Sequence, residues 1–160
     1  MSEMKRSNRA TRRSGKALSF AAVVAAFIVA AATVSGEQST AVGQSGDPFA
    51  VEFDVDVAVR QGGPHDGGGT TTGHAFFERE QNLEFVFKKR VLHPGSAIGL
   101  HTQRHNEVYY VLSGAGRYTM DEKEIDVGPG TALLTKPGGS HALRQVGDQD
   151  LVLIIVYPRH

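Results

Sequence analysis

HTQRHNEVYYVLSG, residues 101–114, sets His101, Gln103, His105 and Glu107 at every second position and then runs apolar to a glycine. Successive side chains of a strand point to opposite faces, so on one strand these four polar groups share a face. Two imidazoles, an amide and a carboxylate aimed at one spot form a donor set for a divalent transition metal. Read singly, His101 and His105 are solvated strand-end residues, and only the grouping speaks for a site. The apolar half, up to Leu112, reads as a buried strand that ends at a glycine turn.

Outward from this stretch, short apolar runs alternate with turn signals. Leu83–Leu92 precedes HPG, Arg117–Met120 precedes Asp121-Glu122-Lys123, and Glu124–Val127 precedes GPG. Thr131–Thr135 precedes KPGG, His141–Val146 precedes GDQD, and Leu151–Tyr157 stops at Pro158. Short strands at this spacing, with no amphipathic helix between them, indicate an all-β sandwich or barrel. Nearer the N-terminus, Val51, Phe53, Val55, Val57 and Val59 alternate with Glu52, Asp54, Asp56 and Ala58, which predicts a strand with one buried face. QGGPHDGGGTTTG, residues 61–73, reads as a glycine-rich loop bearing His65, with His74 just after it. It is either a plain connector or a lid over the barrel mouth. The expected layout is therefore an N-terminal strand and glycine loop over 49–80, then a barrel over 81–160.

Residues 1–36 carry six bases against Glu3 alone, and Ala17–Val34 holds no charge. A basic segment followed by an apolar run and small residues reads as an export signal, cut after Ala32 or Gly36. Arg12-Arg13 hints at a twin-arginine route, and an uncleaved anchor is the alternative. Residues 37–48 read as a polar linker. The expected location is periplasmic or secreted, with no stable membrane partner unless the signal stays on. Removing those six bases and one acid leaves 11 Lys and Arg against 16 Asp and Glu. An acidic chain is a poor partner for nucleic acid. There is no cysteine, so the fold rests on packing alone.

A second element has to close the metal site, and His141 opens a strand directly after the turn KPGGS. Gly95, five residues, His101, one residue, Gln103, three residues, Glu107, six residues and Gly114 together resemble the first cupin motif in every interval. Gly130, five residues, Lys136, then Gly138, two residues, His141, three residues and Gln145 resemble the second. The resemblance covers roughly residues 83–157. It implies a single cupin barrel (a double-stranded β-helix, or jelly roll) holding one divalent metal: Mn, Fe, Ni, Cu or Zn. His101, Glu107 and His141 are the implied ligands. Gln103 stands where cupins usually carry a histidine, so either its amide oxygen or the neighbouring His105 is the fourth, with Gln103 favoured. Lys136 and Gln145 replace a proline and an asparagine of the second motif. Pro137 still stiffens the turn, and Gln145 can make the hydrogen bonds of an asparagine.

Alternation from Glu107 sends Tyr109 to the ligand side, as a phenol in the cavity or a core aromatic. In FVFKKRVLHPG, residues 85–95, one of Lys89 or Arg90 has to face inward if the strand is continuous. An inward Arg90 suits an anionic or carbonyl-bearing substrate, whereas a rim charge does not. Tyr109 and Arg90 are the expected catalytic residues. The expected function is a metalloenzyme acting on a small oxygenated molecule, sugar isomerase-like or dioxygenase-like. The alternative is a non-catalytic cupin that binds a sugar or carboxylate. A homodimer is compatible with either.

Overall fold

The computed structural model describes residues 48–159. The expected leader, and the expected linker up to position 47, lie outside those residues. A single helical turn, α1 (Asp54–Val57), leads into β1 (Ala58–Gly62), β2 (Thr70–Phe76), β3 (Phe85–Leu92) and β4 (Ala97–Thr102). Then follow β5 (Glu107–Ser113), β6 (Ala115–Met120), β7 (Lys123–Val127), β8 (Ala132–Thr135), β9 (Ser140–Val146) and β10 (Leu151–Pro158). The strands form two antiparallel sheets, one ordered β1-β2-β3-β10-β5-β8 and the other β4-β9-β6-β7.

Strand alternation creates the interior. On β5, Glu107, Tyr109 and Val111 are buried while Val108, Tyr110 and Leu112 are exposed. Leu92, Val111, Leu151 and Leu153 of the larger sheet meet Ile98, Tyr118 and Leu143 of the smaller one in a single core. Burying one leucine fully is worth about 1.5–3 kcal/mol, so this shared interior, not either sheet alone, holds the sandwich together.

Two expectations are corrected. First, His101, Gln103, His105 and Glu107 do not share a strand: β4 ends at Thr102 and β5 begins at Glu107. The intervening bend carries the chain from the smaller sheet to the larger, so convergence arises at a corner. That corner is fixed by backbone bonds to the KPGG turn: Gln103 N–H donates to Gly139 O and Gly138 N–H to Gln103 O, each at 2.9 Å. Second, Val51–Val59 is not a strand with a buried face. Val55 and Val59 are exposed, and pairing with β2 begins only at Ala58. Two acids make side-chain attachments here. Glu52 Oε2 accepts the Phe77 N–H at 2.6 Å, and Asp54, in the first turn of α1, pairs with Lys89. An acid at that end also favours the helical turn.

The six-stranded sheet also starts ahead of position 81. TTTGHAF, whose first four residues fall in the expected glycine-rich loop, is β2, paired in register with β3 from Thr71↔Leu92 to Phe76↔Phe87. Its threonines are the β-branched signal that the adjacent glycines obscure.

His74 on β2 is buried opposite Lys89, and its Nδ1 has no hydrogen-bond partner among the described residues. Burial, and then the Lys89 charge, hold its pKa below the ordinary 6.5. Below that value the unfolded chain takes up a proton that the folded chain refuses, so acidification costs stability until the lowered folded pKa is passed. His74→Leu should therefore lose less stability than the wild type between about pH 7 and pH 5, read as urea midpoints. Equal losses would mean that His74 protonates freely within the fold.

Candidate metal centre

Three acceptor atoms meet where the corner faces β9. His101 Nε2 and His141 Nε2 are 3.0 Å apart, and Glu107 Oε2 is 3.1 Å from His141 Nε2. His101 and His141 are register partners on β4 and β9, and Glu107 reaches across from β5. His101 is half-buried; Glu107 and His141 are buried.

The second nitrogen of each imidazole is already engaged. His101 Nδ1 lies 2.8 Å from Gly99 O, which can only accept, so Nδ1 carries the proton and Nε2 the lone pair. Burial lowers the His101 pKa, with the Gly99 bond opposing, so the neutral ring is favoured. His141 Nδ1 faces Tyr118 Oη at 2.8 Å and Thr135 Oγ1 at 3.1 Å, and those hydroxyls are 2.5 Å apart. Partners of this kind set the tautomer and aim of a metal-binding histidine. Neither Tyr118 nor Thr135 shows in the sequence motifs, because their roles depend on pairings far along the chain.

Gln103 occupies the focus. Its Nε2 is 2.6 Å from Glu107 Oε2 and 3.0 Å from each imidazole Nε2. With the His141 proton on Nδ1, toward the two hydroxyls, an amide has two hydrogens to offer three acceptors, and the set is more electron-rich than one carboxamide can satisfy. That is the chemistry of a cation site. Ligands about 2.1 Å from an ion at right angles stand about 3.0 Å apart, which is the spacing seen, so the residues present fit a divalent metal. The same amide, turned about, would present its oxygen. The group of converging donors comprises His101, Glu107 and His141 and does not include His105, which lies half-buried in the bend.

Tyr109 is buried on the ligand side, its ring 5.2 Å from that of His141 and edge-on to Tyr118. Burial foremost, then the Glu107 carboxylate, push its phenol well above the usual range. It is a proton donor, not a base, near neutrality. Of the two bases in question on β3, Arg90 faces inward and Lys89 outward, toward Asp54. Arg90 lines a cavity of about 200 Å³ together with Lys88, Glu107, Tyr109, Tyr157 and His65. Its Nη1 donates to Thr71 Oγ1 at 3.2 Å, and the Gln61 carboxamide oxygen sits against the guanidinium. Among the described residues Arg90 has no ion-pair partner, and its Nε has no hydrogen-bond partner. Lys88 adds a second cation, stacked over Tyr157 with its nitrogen 5.6 Å from the ring centre.

Gln145, in the second motif, acts as the clamp that an asparagine would supply. Its Oε1 accepts the Gly95 N–H at 2.9 Å while Nε2 donates to the carbonyls of Gly147 and Gln149.

Residues 89–157 match the family model described as a cupin domain. An oxalate-binding protein of Thermotoga maritima is 32% identical over 80 residues, which cover 49% of this chain and 66% of that protein, just under two thirds of its length. A crystal structure described as a predicted oxalate decarboxylase from the same organism superposes with a TM-score of 0.62 at 26% identity, covering 69% of this chain and 99% of that one. A polyketide cyclase from Streptomyces resistomycificus shares the fold alone, with a TM-score of 0.58 at 22% identity over 69% of this chain and 79% of its own. With both motifs, the paired sheets and the converging donors in agreement, residues 89–157 of the chain form a cupin domain.

Proposed function

We propose that the chain binds a small dicarboxylate of oxalate's size at a divalent metal held by His101, Glu107 and His141, with Gln103 as the fourth donor. The observation that carries this reading is the buried Arg90 guanidinium, which lacks an acidic partner among the described residues and opens on the same cavity as Glu107. A buried cation is expensive unless paired; a bound carboxylate is the counter-charge it lacks. A metal at the triad would supply Lewis acidity toward one carboxylate oxygen. Arg90 and Lys88 receive the negative charge, Tyr109 can donate a hydrogen bond from its phenol, and Ile98 and Ile155 limit the cavity's water. The name of the Thermotoga relative supports the ligand class.

Sugar isomerase chemistry is less well supported. It needs a base beside the substrate carbon, and the phenol of Tyr109, pushed up by burial, does not serve as one near neutrality. An exported location is part of the proposal on the strength of the basic-then-apolar leader alone.

Calorimetric titration of the manganese-loaded protein tests the reading. Oxalate should bind and acetate more weakly, while neutral sugars give no heat and the chelator-treated protein binds none of them. Sugar binding without oxalate binding would restore the isomerase-like alternative.

A further inference from the structure

The glycine-rich stretch after β1 is built against the metal centre. Pro64–Asp66 form one 3-10 turn in which His65 takes left-handed backbone angles, φ 53° and ψ 42°. Residues other than glycine adopt them uncommonly, histidine being among the more tolerant, and here the angles turn the ring toward β4. Its ring lies flat on that of His101, with centroids 3.6 Å apart and planes within 9°. The loop comes this close because two glycines leave room. A Cβ at Gly67 would stand 2.1 Å from Ala97 O, and one at Gly99 would stand 1.9 Å from His65 O. Ala97 N–H also donates to Gly68 O at 3.3 Å, tying the loop to the start of β4.

We infer that His65 is a positioning residue of the metal centre, fixing the plane of the His101 ring from the glycine loop. The inference rests on the metal reading proposed above. The bond from His101 Nδ1 to Gly99 O sets the tautomer but leaves the ring free to rock about that bond. A flat ring against one face removes this freedom, so Nε2 stays aimed at Glu107 and His141. Outer partners that orient a ligating histidine are worth 10–100-fold in metal affinity. The glycines that make the stretch look like a slack connector are what allow it to seat.

Cobalt(II) titration of the full chain, followed by its visible spectrum, tests this. His65→Ala should weaken cobalt binding about tenfold and alter the spectrum of the bound ion. Gly67→Ala, which unseats the loop without touching either ring, should do the same. His65→Phe, which keeps a flat ring, should restore wild-type affinity and spectrum. If His65→Ala matches the wild type in both, or if His65→Phe is no better than His65→Ala, the assignment is overturned. Wild-type protein that binds no cobalt would overturn the metal reading and this inference together, so the two failures are told apart.

Discussion

His141→Ala should lose metal affinity by more than about a hundredfold while keeping its β fold. Disturbing a partner that merely orients a ligand costs 10–100-fold, and this substitution removes the ligand itself. His141 is 1% exposed, and its Nε2 lies within 3.1 Å of both other donors, so no neighbouring group can take its place without moving β9. Tyr118 and Thr135 keep their hydrogen bond to each other, which limits the damage behind the ring. The remaining cost is a cavity, about 2–4 kcal/mol by analogy with other large-to-small core changes. Metal content after dialysis against a weak chelator measures the first effect, and a urea melt the second. Full metal content would show that β9 does not close the site.

Arg90→Met should separate ligand binding from both metal binding and stability. Hydrogen bonds from a charged donor contribute about 1.5–3 kcal/mol each, so losing a two-pronged contact should weaken oxalate by about a hundredfold or more. Metal affinity should not change, because Arg90 makes no hydrogen bond to any of the three ligands. The ligand-free variant should be more stable, by about 1–3 kcal/mol, since methionine replaces a buried charge that has no acidic partner among the described residues. Thr71 Oγ1 retains its contacts with the carbonyls of Gln61 and Gly62. A variant that melts higher and binds metal but ignores oxalate is the expected combination. Unchanged oxalate affinity would place the anion elsewhere.

The apolar runs from residue 85 onward translate almost directly into strands, because alternation and Pro or Gly turns are local properties of the chain. Glu107, Tyr109 and Val111 fall on one side as the period of two requires, and Gln145 does what its interval from His141 implies. The rest depends on pairing between distant segments. Nothing in HTQRHNE says that its two ends join different sheets, and the same period of two suggests one strand where there is a corner. Val51–Val59 has a strand's pattern, but a helical turn interrupts it at Asp54–Val57 and the ladder with β2 starts at Ala58, while two carboxylates settle its course. The place of His65 follows from left-handed backbone and two missing Cβ atoms, features that the letters GGPHDGGG permit but do not specify.

His101 and His141 stand 40 residues apart on the smaller sheet, and Glu107 belongs to the larger one. An ion gripped by all three is therefore a cross-link between the layers, in a chain that has no cysteine to make a covalent one. Holding a loop of that length closed removes entropy from the unfolded chain on the order of 4 kcal/mol, by the argument applied to disulfides. Unlike a disulfide, this tie can be released by protons or a chelator, because its donors must stay deprotonated to grip. Prising the layers apart at the corner and letting go of the ion then become one event, so the lifetime of the loaded fold is set by how slowly the ion leaves.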